Sequence, residues 1–178
     1  GAVLTVTPAD NLQSILDAAS PDDTLLVQNG TYTGNFMVTK SLNLTGVGAP
    51  ILDGGNTGNR DTLTLAGGST ILQGFVITNA YRAGINCSSN GNVIRENLVI
   101  HNDRIGIYLF RSSQNQIENN IVEDTHGVST GQGYGAYLFH SIGNHLENNT
   151  FLENHKAGIS LYQSPETRIV GNNLSSNA

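Results

Sequence analysis

A short phrase recurs along the chain at nearly constant spacing. "IGIYLFRSSQNQIENN" at residues 105–120 returns as "YGAYLFHSIGNHLENN" at 134–149 and, more weakly, as "AGISLYQSPETRIVGNN" at 157–173. A single copy is too short to bury its own apolar face, so the copies must stack on one another. This repeat constrains the fold more than any other feature of the sequence.

Alignment of the copies gives files of equivalent residues with steps of 23, 23, 29 and 23 residues. The step of 29 marks a six-residue insertion within "THGVSTGQGYG". Two files are apolar: Ile71, Ile94, Ile117, Leu146 and Ile169, and Val76, Val99, Val122, Phe151 and Leu174. Three are rich in asparagine: Asn92, Asn115, Asn144 and Thr167; Asn97, Asn120, Asn149 and Asn172; and Asn79, Asn102, Thr125, Asn154 and Asn177.

The pattern inside each repeat favours short strands over helices. Apolar residues alternate over three or four positions and then meet Asn or Gly, which is typical of strands separated by turns. Stacked in register about 4.8 Å apart, the asparagines could bond from coil to coil and satisfy buried polar groups. The repeat therefore predicts an all-β solenoid of six or seven coils, each turned by inward-facing asparagines.

The N-terminal segment is predicted to cap this solenoid. Thr7 suits an N-cap, Pro8 the first helical position, and apolar residues follow at helical spacing, so we expect a short helix over 8–19. Such a helix would cover the exposed strand edges at the top. We expect one domain over 1–178, with coils over 24–178. The C-terminal end stops within a coil and is expected to be uncapped or truncated.

Composition excludes several classes of function. The formal net charge is −6 and the pI is about 5.1, so we expect no basic stripe that could neutralise nucleic-acid phosphates. No apolar run is long enough to span a membrane. Cys87 is the single cysteine, so no disulfide holds the fold. It falls on an inward position and is interpreted as a core residue.

The repeat "GIYLFRSSQNQIENNIVEDT" and its copies over 70–178 resemble the right-handed parallel β-helix of pectate lyases, other polysaccharide lyases and hydrolases, and NosD-type periplasmic proteins. The opening, from "PADNLQSILDAASPDDT" to "GAPILDG", is similar to the start of many such domains. The resemblance implies a single-stranded right-handed β-helix with a period of about 23 residues. It does not extend to catalytic motifs. The paired aspartates and the Arg-Ile-Lys triplet of polygalacturonase-type hydrolases, and the calcium-binding acid cluster and arginine of pectate lyases, have no match.

Aromatic residues are predicted to gather on one outward surface. In "GIYLF" and its copies, strand alternation turns five aromatic side chains away from the core: Tyr108, Phe110, Tyr137, Phe139 and Tyr162. Flat apolar rings with a polar rim suit stacking against sugars. The alternative is that a loop or another chain covers them, through face-to-face or end-to-end self-association.

The turn before these strands concentrates imidazoles and carboxylates. Two files are predicted there: His101, Asp124 and Glu153, and Asp103, His126 and His155; Arg104 and Lys156 follow directly. Asp124 and Glu153 could share a proton or a cation. His126 or His155 could act as general acid or base while Arg104 or Lys156 neutralises a sugar carboxylate. The six imidazoles and carboxylates could instead bind a divalent metal such as Ca, Zn or Cu. The alternative is a solvated row of ion pairs.

Three functions remain open. The first is an extracellular, cell-surface or periplasmic protein that binds a polysaccharide or cell-surface glycan and, as an enzyme, cleaves it as a lyase or glycoside hydrolase. The second is a non-catalytic glycan-binding or surface-structural module. The third, implied by the resemblance, is a NosD-like periplasmic metal-handling protein.

Overall fold

The computed structural model describes residues 1–128 and 131–178. These residues form a right-handed parallel β-solenoid of about seven turns with a period of about 23 residues and one short helix. Each regular coil adds one strand to each of three parallel sheets, so the molecule has three long faces that meet at three corners. The fold expected from the repeat is confirmed.

The three sheets take strands in rotation. Sheet A has β1 (Val3–Val6), β2 (Thr24–Gln28), β5 (Asn43–Val47), β8 (Ile71–Gln73), β11 (Val93–Arg95), β14 (Gln116–Glu118), β17 (His145–Glu147) and β20 (Arg168–Val170). Sheet B has β3 (Thr31–Thr33), β6 (Ile51–Asp53), β9 (Val76–Thr78), β12 (Leu98–Ile100), β15 (Ile121–Glu123), β18 (Thr150–Leu152) and β21 (Asn173–Ser175). Sheet C has β4 (Phe36–Val38), β7 (Leu63–Leu65), β10 (Ala83–Cys87), β13 (Ile105–Phe110), β16 (Tyr134–Phe139) and β19 (Ala157–Tyr162).

One apolar core runs inside the three sheets, because successive side chains of each short strand point in and out in turn. Ile94, Ile117 and Leu146 stack from coil to coil in sheet A and are fully buried. Cys87 lies in this core and is also fully buried, as its sequence position predicts. The stacked aliphatic side chains thus hold neighbouring coils in register.

A ladder of buried asparagines turns the chain at each corner. Asn97, Asn120 and Asn149 form the ladder between sheets A and B. Each side-chain oxygen accepts the backbone N–H of the preceding coil, at 3.1 Å for Asn97 N to Asn120 and 3.0 Å for Asn120 N to Asn149. The amide of Asn120 donates to the Asn149 oxygen and to the Ile94 carbonyl. Equivalent ladders occupy the other corners, so polar groups that the turns bury are satisfied.

The first step of the predicted alignment is wrong by one residue. Ile94 pairs with Leu72 and Val99 with Ile77, where the sequence predicts Ile71 and Val76. Likewise the amide N–H of Ala80, and not that of Asn79, donates to Asn102. The step between these two coils is therefore 22 residues, one fewer than the 23 assumed in the alignment. The missing residue belongs to a turn, so the apolar pattern of the strands is the same while the aligned positions shift by one.

The N-terminal helix is shorter than expected, and a strand before it was missed. α1 spans Leu12–Ala18 and is capped by Asn11, whose side chain accepts from Ser14 N, so Thr7 is not the N-cap. β1 pairs with β2, so the solenoid begins at Val3 and not at residue 24. The capping role is confirmed, because the Gln13 amide bonds both backbone groups of Met37 on β4, an edge strand of sheet C.

No helix among the described residues is long and apolar enough to cross a membrane. The insertion lies over 127–132 at the corner between sheets B and C, and residues 129 and 130 lie outside the described part of the chain.

Candidate functional site

The five predicted aromatic side chains lie on the outward surface of β13, β16 and β19, which we call the aromatic face. The inward residues between them on β13 and β16 are fully buried, which confirms the predicted phase for these two strands, while Leu161 on β19, the last described strand of sheet C, is 44% exposed. Phe110, Phe139 and Tyr162 form one row of nearly parallel rings, with centroids 5.6 Å and 5.3 Å apart. Phe110 and Tyr162 expose 38% and 47% of their surface. The row is held in place because each ring stacks on the next.

A second row lies beside the first. Tyr108 and Tyr137 pack edge to face with centroids 5.8 Å apart, and Tyr134 adds a third ring 5.1 Å from Tyr137. Burial raises the pKa of the Tyr108 phenol, and the nearby positive charge of Arg104 lowers it in part. The aromatic face therefore presents one row of rings over three coils and a second row over two.

Polar side chains flank the far edge of the aromatic face. The Arg111 guanidinium lies 5.6 Å from the centre of the Phe110 ring, a cation–π distance. The His140 ring packs against Phe139 at 4.2 Å and against Tyr162 at 5.5 Å. A ligand lying on the rings would meet these groups at its edge.

The six predicted imidazole and carboxylate residues lie at the corner between sheets B and C, which we call the polar corner. Backbone hydrogen bonds place them in two files, His101, Asp124 and Glu153, and Asp103, His126 and His155. Members of the first file have φ between 49° and 56°, the left-handed conformation that this turn requires. Coil geometry therefore sets their spacing.

Within the polar corner, Asp124 lies between two imidazoles. Its Oδ2 is 2.7 Å from Nδ1 of His101 and its Oδ1 is 3.1 Å from Nε2 of His155. The three side chains belong to three successive coils, and both oxygens of the carboxylate face a histidine. Asp124 therefore links the two histidines.

His126 is oriented by a different carboxylate. Its Nδ1 lies 3.3 Å from Oδ1 of Asp103, whose side chain is fully buried, while the Val128 amide lies 3.5 Å from the same nitrogen. The Nδ1 edge of the ring thus faces Asp103 and the Val128 amide, and these contacts orient the ring, which is 27% exposed.

The remaining predicted residues are less closely connected. Glu153 is exposed and lines a shallow cleft with His155 at the C-terminal end of the described solenoid. Arg104 donates from Nε to the Gln132 side chain, which belongs to the insertion. Lys156 is exposed on the coil after it.

Two arginines beside this corner were missed from the sequence. Backbone bonds from Arg82 N to Arg60 O and from Arg104 N to Arg82 O stack three arginines on successive coils. Gly133 occupies the equivalent position one coil after Arg104, and Lys156 occupies it one coil after Gly133. We call Arg60, Arg82, Arg104 and Lys156 the basic row. In the sequence, Arg60, Arg82 and Arg104 are spaced 22 residues apart, which could have indicated that they stack. The alignment assumed a step of 23 residues and therefore did not bring them together.

The members of the basic row differ in their surroundings. Arg82 makes a bidentate pair with the buried Asp61, with Nε 2.8 Å from Oδ1, and this bond raises the pKa of the guanidinium. Asp61 also accepts from the Ala83 amide and from Asn86. Its charge is thus fully used in holding Arg82.

A cleft of about 690 Å³ opens beside the basic row and is lined by Gly58, Asn59, Tyr81, Arg104 and Gln132. It joins, through Asn59, a smaller depression of about 250 Å³ that Arg60, Asp61 and Arg82 line in part. The two depressions run along the N-terminal edge of sheet C, next to the aromatic face. The arrangement can hold an elongated ligand parallel to the solenoid axis.

The polar corner is not arranged as a metal site. Among residues 1–128 and 131–178, no group of three or more His, Cys, Asp or Glu side chains is placed to hold a metal ion. Nδ1 of His101 and Nε2 of His155 each contact an oxygen of Asp124. Cys87, a soft donor that copper favours, is buried in the core away from this corner. The donor set as it stands does not fit copper.

Comparisons with known proteins agree with this architecture. An alginate lyase structure from Paenibacillus sp. str. FPU-7 aligns with a TM-score of 0.64 and 20% identity over 99% of this chain. The alignment covers 65% of that lyase, so this chain spans just under two thirds of its length. Pectate lyase Pel9A aligns at a TM-score of 0.47 and 12% identity, over 99% of this chain and 79% of that one, which is too weak to carry an argument. At this identity, the similarity to the alginate lyase is evidence for the fold of this chain and for nothing more.

None of the curated proteins matches the sequence. The family model described as "Periplasmic copper-binding protein (NosD)" matches residues 16–178, which is most of the chain. Together with the three-sheet solenoid, this match shows that the chain belongs to the NosD family of parallel β-helix proteins.

Proposed function

We propose that this protein binds a polysaccharide across the aromatic face. The observation that carries the proposal is the pair of aromatic rows, one over three coils and one over two, beside an open cleft. Rigid rings offer apolar area at low cost in conformational entropy, and sugars present matching apolar faces with polar edges. The alginate lyase with the same fold acts on a polysaccharide, which supports this choice of ligand class.

The binding proposal is tested with a glycan array followed by calorimetry on the best ligand. Tyr137→Ala and Phe139→Ala remove the central ring of each row and should each weaken binding by roughly tenfold or more. Ile121→Ala is the matched control, since Ile121 is 45% exposed on sheet B, on a different face. Equal losses in all three variants, or no glycan bound by the wild type, would overturn the proposal.

Cleavage of the bound polymer is the finer proposal, and it concerns the polar corner. The catalytic candidates are His126, His155, Asp124, Glu153 and Arg104. Of these, His126 is best supported as a base, because Asp103 orients its ring. In an elimination, this base would remove the proton from the carbon beside a uronate carboxylate while Arg104 binds that carboxylate. A C=C bond would form as the glycosidic C–O bond on the neighbouring ring carbon breaks, and the leaving oxygen would take a proton from solvent. Assays for reducing ends and for unsaturated products, with His126→Ala and Glu153→Ala, decide whether any cleavage occurs and where.

Handling of a metal is the second candidate function, favoured by the description of the matching family as copper-binding and periplasmic. His101, Asp103, Asp124, His126, Glu153 and His155 are the donors that it would use. Because the donor set as arranged does not fit, we derive no chemistry through copper. Titration with copper, zinc and calcium, read by calorimetry and by metal analysis after dialysis, tests it. Stoichiometric metal that His101→Ala and His155→Ala both release would establish this function.

A further inference from the structure

We propose that the polysaccharide is an acidic one, a polyuronate that lies parallel to the solenoid axis with its carboxylates on the basic row and its sugar rings on the aromatic face. This inference rests on the proposed function and names the chemical class of its ligand. The basic row borders sheet C at the start of its strands, directly beside the aromatic rows.

The basic row concentrates cations in an acidic protein. The chain has 8 Lys and Arg residues against 14 Asp and Glu residues. Four of the eight stand in this one row, and Arg111 lies across the aromatic face from it. The aromatic face is therefore bordered by positive charge on both sides, although the whole chain carries a formal charge of −6. Such a local field attracts anionic ligands and orients them.

Ion pairing within the protein leaves part of this charge available. Arg82 is neutralised by Asp61. In contrast, none of the ion pairs within the described residues involves Arg60, Arg104 or Lys156. Arg104 is held by the neutral Gln132, which fixes its direction without cancelling its charge. Three uncommitted cations thus stand at every second level of one edge, with Arg82 and Gly133 at the levels between them.

The spacing of the row suits a polymer whose carboxylates meet it on every second sugar. Neighbouring coils are about 4.8 Å apart, so the uncommitted cations, two coils apart, are separated by about 9.6 Å along the axis, which is close to the length of two pyranose units in an extended chain. A guanidinium forms two parallel hydrogen bonds with a carboxylate, so it selects a uronate over a neutral hydroxyl. Tyr108 lies between the basic row and the other rings, close enough for Arg104 and Arg82 to affect its pKa. A sugar could therefore contact a ring and a cation together.

Nucleic acid is the other polyanion that stacks on aromatic rings, and the observations disfavour it. Its affinity comes from neutralising many phosphates at once. Three uncommitted cations on a chain of net charge −6 supply too little positive charge for that. A polyuronate carries a lower charge density and needs fewer contacts.

The experiment compares three probes of similar length: a polyuronate, a neutral polysaccharide and a single-stranded oligonucleotide. Binding is measured for the wild type, Arg104→Gln, Lys156→Gln and Arg95→Gln. Arg95 is the matched control, an arginine of sheet A that lies 4.0 Å from Glu118. Thermal unfolding of each variant checks that the fold is intact.

We expect the wild type to prefer the polyuronate, with affinity that falls as salt rises. Arg104→Gln and Lys156→Gln should each weaken polyuronate binding roughly tenfold, while Arg95→Gln stays within about twofold. Equal or tighter binding of the neutral polymer, sensitive to Tyr137→Ala but not to Arg104→Gln, would overturn this inference and leave the proposed function standing. Preference for the oligonucleotide would overturn both, as would the absence of binding to either polysaccharide.

Discussion

The three inner corners and the aromatic face use the same stacking in opposite ways. At the corners, asparagine recurs from coil to coil, and its side-chain oxygen accepts from the coil before it. On the aromatic face the repeat is broken, because the position of Tyr108 and Tyr137 is Asn86 one coil before and Ser160 one coil after. The corners use the same side chain over most of the repeated coils, whereas the face is specialised over a few.

This contrast separates stability from function. A buried amide that loses its partner costs free energy wherever it occurs, so the ladders are maintained along the solenoid. An outward side chain on a strand bears no such constraint, and residues there can vary without disturbing the backbone. Interruptions of the repeat on the outer surface are therefore where a ligand site is expected.

The largest expected effect is on stability, from a cut in one ladder. Asn120→Ala would remove the partner of the Asn97 backbone N–H, one of the two bonds of the Asn97 side-chain amide, which keeps Leu72 O, and the side-chain donor to the Ile94 carbonyl. We expect a loss of about 3 kcal/mol in the free energy of unfolding, measured with urea and circular dichroism. Gln116→Ala, an exposed change on the same coil, should cost less than about 0.5 kcal/mol. Equal costs would remove the distinction between corner and surface.

The aromatic face should respond less in stability than its ring sizes suggest. Phe139→Ala deletes the middle ring of a stacked row but leaves no buried polar group unpaired. We expect a loss of about 1 kcal/mol, from ring contacts alone. The same urea titration measures it. A cost above that of Asn120→Ala would mean that the face is chiefly structural.

The stability of the fold should depend on pH through Asp23, whose carboxylate accepts from the first coil as the corner asparagines do. The carboxylate of Asp23 accepts the Ser20 amide at 2.8 Å and the Ala2 amide at 2.7 Å, and these bonds lower its pKa from the ordinary 3.8. The ionised form therefore stabilises the fold above that value, and this contribution is lost as pH falls through the lowered pKa.

We expect Asp23→Asn to flatten the decline of melting temperature with acid, measured by thermal unfolding over a pH series. Asp22→Asn, a change at the preceding residue, is the control and should keep the wild-type slope. An unchanged slope in Asp23→Asn would show that the carboxylate contributes nothing specific.

The smallest effect concerns one thiol. Burial raises the pKa of Cys87, which is fully enclosed in the core, so a thiol reagent should label it only after unfolding. In a Cys87→Ser background, Ser88→Cys moves the thiol one residue along, to the outward side of sheet C. That variant should react at once. Rapid labelling of the native protein would contradict the inward phase of β10.

The sequence by itself determined the solenoid, its three asparagine corners and the outward direction of the aromatic rings. Each coil must satisfy the same backbone groups at the same turns, so the requirement is written into the chain once per repeat. Phe151, for example, could be assigned to the core from its file alone, and it is fully buried.

Tertiary structure decided what the repeat could not encode. A 22-residue coil moved Ala80 into the place expected for Asn79 and brought Arg60, Arg82 and Arg104 into one row. The bond of Asp124 to His101 and His155, and not to Glu153, depends on how side chains cross between coils. Such contacts depend on the exact number of residues in a coil and on the rotamer of each side chain. A change of one residue or of about one ångström alters them but leaves the apolar periodicity of the sequence the same.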